Sequence, residues 1–286
     1  MKLAQTLRLA VLGAALIAAA GPRALAQGST MPEQRLVQLV ARQKELLDEA
    51  AKQGENLDEE GLRAQLQTVG HDYELLIHDS PGFAAAYAAY ATLLEKVDMR
   101  KEAMAMYLKA NQLDPDIPLV KNQIGNYLAE DGRPVEAVNY YLAAIKLEPK
   151  EPLYHYQLGR LLNEARDTFL EKKVYTRTQL DQAMLNAFRT AAELAPDRIE
   201  FVYRYAESFY DLEKPDYDQA LKVWAVLEEK ASSPVEQQTM RLHAANILIK
   251  QGRTDHARAL LDTVTDPGLA AQKKKLVAQL PVKPKD

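Results

Sequence analysis

Apolar residues recur three and four positions apart along most of the chain beyond residue 30, and no segment sustains the strict alternation of a half-buried strand. Each apolar stripe of this kind marks one face of a helix. Pro115 and Pro149 stand just past such stripes and stop them, because a proline cannot continue the helical hydrogen bonding. Gly132 marks a turn between two stripes, and Pro134 follows it as a first-turn residue. The pattern predicts an all-α protein.

The stripes repeat. Shifted by 34 positions, Tyr90, Ala91 and Leu94 fall on Ile124, Gly125 and Leu128, and a second shift brings them to Leu158, Gly159 and Leu162. In the same register Ala103, Tyr107, Ala110 and Pro115 fall on Ala137, Tyr141, Ala144 and Pro149. The small residue of the first set lets the partner helix approach closely. Tyr107 and Tyr141 are expected to fill the space between one helix pair and the next. Later units are looser: Tyr205, Ala206 and Phe209 with Ala220 and Trp224, then Ala244, Ala245 and Leu248 with Gly252, Ala257 and Leu261. Pro149 and Pro196 lie about 13 residues further apart than one period, which places an insert near 165–179. The insert either extends both helices of its unit or forms a separate protrusion. Upstream, Val69, Tyr73, Leu76 and Pro81 match the second half of a unit.

This arrangement resembles the tetratricopeptide repeat (TPR). The resemblance implies a solenoid of stacked antiparallel helix pairs wound into a right-handed superhelix. Its units fall near 84–117, 118–151, 152–198, 199–232 and 234–266. N-terminal helices including a degenerate repeat occupy 27–81, repeats span 82–266, and a C-terminal capping helix and tail occupy 267–286. The last helix is polar on one side (Gln272 to Lys275), as shielding the final repeat from water requires. Ser80 and Ser233 precede prolines where helices are expected to start, and Ser233-Pro234-Val235-Glu236 reads as a capping box.

The N-terminal segment changes the expected compartment. Lys2 and Arg8 precede an uncharged run from Leu9 to Ala20, then Gly21-Pro22, then the small-x-small pattern Ala24-Leu25-Ala26. That is the layout of a secretory signal peptide over residues 1–26, with cleavage near Ala26–Gln27, and it predicts an exported, periplasmic or secreted protein. The apolar run is well short of the roughly 20 residues needed to span a bilayer. Removing it takes three cations and no acid from a chain of 36 basic and 40 acidic residues. The resulting negative charge argues against nucleic acid as a partner. With no cysteine there is neither a disulfide framework nor a thiolate metal site.

Catalytic chemistry is missing from the sequence. The five histidines include no H-E-x-x-H pair, and neither a phosphate-cradling glycine loop nor a G-x-S-x-G turn is present. No catalytic residue, cofactor or metal is expected. In the family this chain resembles, the first helices of successive units line a concave groove. Helical offset from the small residues that mark the packed face assigns the groove side. It carries Asn122 and Asn126, then Tyr156, Arg160 and Asn163, then Tyr203, Glu207 and Tyr210, and finally Asn246 with Leu242 and Ile249. Tyr and Arg offer large contact area, and Asn can hold an extended peptide backbone. The expected function is a non-catalytic envelope scaffold that holds a protein or peptide partner. The alternative is a small-molecule or lipid-binding repeat protein with an enclosed apolar pore.

Overall fold

The computed structural model describes residues 30–54 and 57–281, so the expected leader and its cleavage point lie outside the described residues. Among the described residues there are fourteen α-helices and no strand. They pack as two compact units, one reaching to Pro149 and the other starting at Lys150.

The first unit holds three helix pairs: α1 (Met31–Gln53) with α2 (Glu59–Asp79), α3 (Ala84–Lys96) with α4 (Arg100–Leu113), and α5 (Pro118–Glu130) with α6 (Pro134–Leu147). Helix α1 opens on a full capping box, Thr30 accepting from the Glu33 amide and Glu33 accepting from the Thr30 amide. The pairs are joined by tight turns. Asp98 and Gly132 occupy equivalent places in two of them, with φ of 64° and 73°. Gly125 explains the small residue of the repeat: a Cβ there would lie 2.9 Å from the Tyr141 ring. Tyr141 therefore packs on the first helix of its own pair, rather than only between one pair and the next. The ring needs the space that glycine leaves.

The second unit begins with α7 (Pro152–Glu164), α8 (Arg166–Glu171) and α9 (Arg177–Leu194). It continues through α10 (Ile199–Ser208), which runs into a 3₁₀ turn at Phe209–Asp211, and α11 (Tyr217–Lys230). It ends with α12 (Pro234–Lys250), α13 (Thr254–Asp262), a second 3₁₀ turn at Pro267–Leu269 and α14 (Ala270–Val277). A Cβ at Gly159 would meet the Phe188 ring at 2.8 Å, the same relation as Gly125 to Tyr141.

The insert does not lengthen both helices. It forms the separate short helix α8 and adds a turn to the start of α9, which has 18 residues where α4 and α6 have 14. Phe169 anchors it, fully buried and edge-on to Tyr175. A capping box of Thr176 and Gln179 starts α9. Arg177, the first residue of α9, donates through Nε to Asp181 Oδ1 one turn on at 2.9 Å, and its Nη2 donates to the Asp211 carbonyl at 2.6 Å. Asp181 Oδ2 accepts from the Glu213 amide at 2.9 Å. The extra turn thus ties down the loop between α10 and α11.

Two expected helix starts differ from the sequence reading. Ser233 does cap α12, accepting from the Glu236 amide, but Glu236 reaches past it to the Ser232 amide and hydroxyl, so the box is not reciprocal. Ser80 closes α2 instead of opening α3: its amide donates to the Leu76 carbonyl, and α3 starts without a side-chain cap. At the C-terminal end, Leu269 and Leu280 join Leu242, Leu248, Ala257 and Leu261 in one apolar cluster, which covers the last pair.

Candidate functional site

In the first unit the residues expected to face a partner are drawn into an internal polar ladder. Tyr107 donates to Glu95 Oε2 at 2.8 Å, and Gln123 Nε2 donates to the same oxygen at 2.6 Å. Gln123 Oε1 accepts from Asn126 at 2.7 Å and from Asn122 at 3.2 Å, and Tyr141 donates to Asn126 Oδ1 at 2.7 Å. Burial raises the Glu95 pKa above the ordinary carboxylate value, against the two donors that hold it charged. Burial likewise pushes the Tyr107 hydroxyl well up. Asn122 is 1% exposed and cannot offer its amide to a partner. Asn126 keeps a partly exposed edge, but both ends of its amide are already engaged. The sequence offset put Asn122 and Asn126 on an open groove face; it could not show that Gln123 would engage both and Tyr141 the second.

The second unit brings the remaining candidates into two adjoining aromatic clusters. In the first, Tyr156 of α7 stacks on Phe201 of α10, with ring centroids 4.6 Å apart, and meets Phe188 edge-on at 6.0 Å. Burial, with Glu200 adding to it, pushes the Tyr156 hydroxyl up to about 12. Arg160, one turn on, pairs with Glu164 at 2.9 Å and remains exposed. Asn163 accepts from Arg166 at 3.2 Å, which ties it to the insert.

The second cluster is built around His243 of α12. Its ring lies parallel to Trp224 of α11, with centroids 4.0 Å apart and planes 3° off parallel. The Tyr203 hydroxyl stands 3.1 Å from Nε2 and the Tyr210 hydroxyl 3.3 Å from Nδ1, so each imidazole nitrogen faces a phenol. Tyr210 also donates to the His243 carbonyl at 3.3 Å, and Asn246 is within hydrogen-bonding reach of it. Burial lowers the His243 pKa to about 4, which keeps the ring neutral at pH 7. Burial also pushes Tyr210 up to about 12. Arg204 joins the clusters: it lies over the Phe188 ring at 5.0 Å and pairs with Glu207 and Asp211, each at 3.5 Å.

Tyr203, Glu207, Tyr210 and Asn246 therefore converge, and Tyr156 and Arg160 sit beside them on α7. Their role differs from that of free anchors. The Tyr156 and Tyr203 rings pack against aromatic rings of other helices and stay only partly exposed, and the Tyr203 hydroxyl already faces His243. Sequence reasoning missed His243, Arg204 and Gln123. His243 directly follows Leu242, one of the offset positions, and no pattern in the sequence signals that two tyrosines would bracket it.

Among the described residues no group of three or more His, Asp or Glu is placed to hold a metal ion, and no helix is long and apolar enough to cross a membrane. Residues 84–117 match the tetratricopeptide repeat family model. No curated protein matches the chain. Among solved structures, YrrB, described as a TPR protein with an unusual peptide-binding site, aligns with a TM-score of 0.56 and 21% identity over 71% of this chain and 97% of its own. PilF of Pseudomonas aeruginosa aligns with a TM-score of 0.55 and 17% identity over 87% of this chain and 100% of its own. The C-terminal part of a TPR repeat-containing protein from Cytophaga hutchinsonii aligns with a TM-score of 0.54 and 17% identity over 91% of this chain and 92% of its own. Residues 84–117 thus match a tetratricopeptide repeat, within a chain that has the all-helical repeat fold of these structures.

Proposed function

We propose that this protein is a non-catalytic scaffold of the cell envelope, exported by the leader at residues 1–26, that holds a protein or peptide partner on the first-helix faces of its repeats. The partner surface centres on Tyr156, Arg160, Tyr203, Glu207, Tyr210 and Asn246. The observation that carries this reading is the set of tyrosines in the second unit. Their rings are held by aromatic contacts, Tyr156 stacked on Phe201, Tyr203 edge-on to Trp224 and Tyr210 tilted against His243, while each stays partly exposed. Aromatic edges that are already immobile lose little conformational freedom when a partner docks, and charged or amide groups beside them supply direction. Helical repeats of this kind commonly bind proteins or peptides, and the similar YrrB has a peptide-binding site of its own.

The test is capture of partners from envelope extracts by the mature chain, compared with Arg160→Ala and Tyr203→Phe variants whose helical circular dichroism matches the parent. A partner captured by the parent and lost at least fivefold by Arg160→Ala supports the reading, that being what loss of about 1 kcal/mol at an anchor gives. Equal capture by all three proteins overturns this placement of the site. The leader has its own test: N-terminal sequencing of the protein recovered from the periplasm or medium should begin at Gln27, and an intact Met1 would rule out cleavage.

A further inference from the structure

The first unit carries a cleft of about 450 Å³ between α2 and the end of α3. Leu66, Leu93, Leu94, Val97 and Met99 form its floor and walls. Arg63, Gln67, Gly70, His71 and Glu74 follow one another along the α2 side at helical spacing. Clefts of this size and apolar lining suit small organic molecules.

Two further observations separate it from an incidental furrow. Gly70 lies in the middle of a 21-residue helix, where glycine is less favourable than alanine because it loses more backbone freedom. At Gly125 and Gly159 packing demands the missing side chain, since a Cβ would meet a ring at 2.9 and 2.8 Å. At Gly70 it does not: the nearest atoms, Leu93 Cδ2 and Tyr90 Cε2, would be 3.8 Å from a Cβ, an ordinary contact. What the glycine leaves open is the cleft itself. The second observation is electrostatic. Ten of the fourteen described arginines form ion pairs with Asp or Glu, and Arg166 and Arg258 donate hydrogen bonds to Asn163 and the Pro281 carbonyl, whereas exposed Arg63 at the cleft's rim, like Arg42, has no ion pair among the described residues. The carboxylate in the lining, Glu74, stands three turns along α2 from Arg63. There it accepts from the Tyr90 hydroxyl at 2.8 Å and lies 3.7 Å from His71 Nδ1. One end of the cleft is cationic and without an ion pair among the described residues, the middle is apolar, and the far end is acidic and already engaged.

We infer that this cleft binds an amphipathic carboxylate of medium chain length, with its anionic head on Arg63 and Gln67 and its apolar tail laid over Gly70 against Leu93 and Val97. The head belongs at the Arg63 end because Glu74 repels it from the other. The site lies wholly in the first unit and shares no residue with the tyrosine surface of the second, so either can fail without the other.

Decanoate is the probe, with decanol and decylammonium as uncharged and cationic counterparts, titrated into the ¹⁵N-labelled mature protein and followed by amide chemical shifts. Decanoate should move the signals of Leu66–Glu74 and Leu93–Met99 while leaving Tyr203 and His243 in place, and decylammonium should not bind there. Gly70→Leu fills the cleft and should abolish the shifts. Gly70→Ala, which the packing accommodates, should weaken binding while raising the melting temperature, so a folded variant is assured. Arg63→Ala should weaken decanoate at least fivefold and erase its advantage over decanol. The inference is overturned if decanoate binds Gly70→Ala and Gly70→Leu as it binds the parent, if decanol matches decanoate on the parent, or if the shifts fall elsewhere on the molecule.

Discussion

Asp98 and Gly132 make the same turn in successive pairs, and only one of them is suited to it. A left-handed backbone at Asp98 crowds its Cβ against the next carbonyl, a penalty that glycine escapes. Asp98→Gly should therefore stabilise the protein by about 0.5–1 kcal/mol, read as a raised midpoint of urea unfolding. Gly125 gives the opposite result. Gly125→Leu must displace the Tyr141 ring that already lies 2.9 Å from a bare Cβ, and overpacking of this kind typically costs about 1–3 kcal/mol. An unchanged melting temperature would refute the packing role of that glycine. The sequence made the small residue at 125 legible through its period. It gave no hint that Asp98 shares the turn conformation of Gly132, because the two residue types differ and only the backbone angle reveals the match.

At the scale of elements, two junctions in the second unit carry definite expectations. The first extra turn of α9 holds the α10–α11 loop through Asp181. Asp181→Ala removes the acceptor of both the Arg177 guanidinium and the Glu213 amide, and should cost about 1–3 kcal/mol, since hydrogen bonds to a charged group are the stronger kind. Limited proteolysis should then cut near residues 211–216 faster than in the parent. The second junction is the stack of α11 on α12 at Trp224 and His243. His243 titrates near 4 in the fold against about 6.5 in an unfolded chain, so the unfolded state takes up its proton first as pH falls. The stability this residue contributes is complete above about pH 6.5 and is lost progressively down to about pH 4, on the order of 3 kcal/mol in all. Tyr203, Tyr210 and the charges of Glu207 face the same cluster, and their pairing with an imidazolium would offset part of the loss. His243→Gln should flatten the fall in melting temperature between pH 7 and pH 4.5. Because Trp224 is the sole tryptophan, its emission reports the same event: protonation of the stacked ring should quench it in the parent but not in the variant. Emission that is flat with pH in both would show that the ring does not titrate there.

For the whole molecule, the 34-residue period was enough to establish an all-helical repeat fold, the small residues at the pair contacts, the turn at Gly132 and a polar capping helix at the end. These follow from local rules: a helix face is set by spacing of three and four, a turn by glycine, a helix end by proline, and repetition multiplies each weak signal. The candidate surface was legible only as far as a helix face. Offset along α5, α7, α10 and α12 identified positions pointing away from the small residues, but whether such a position is open depends on side chains from other helices. Asn122 and Asn126 were taken up by Gln123 and Tyr141. Tyr156 became half of a stacked pair and Tyr203 half of an edge-on pair, and the other halves, Phe201 and Trp224, lie on different elements. His243 acquired a lowered pKa because the fold buries it, and its ring nitrogens face tyrosines 33 and 40 residues away in the chain. The cleft over Gly70 likewise exists only because α2 and α3 leave a gap there, while the sequence shows no more than a glycine in a helix. What the sequence determined by itself was each residue's helix and the face it takes. What only the tertiary structure decided was which side chain answers it across the gap between helices, because burial, stacking and charge pairing are properties of neighbours in space and the sequence orders neighbours only along the chain.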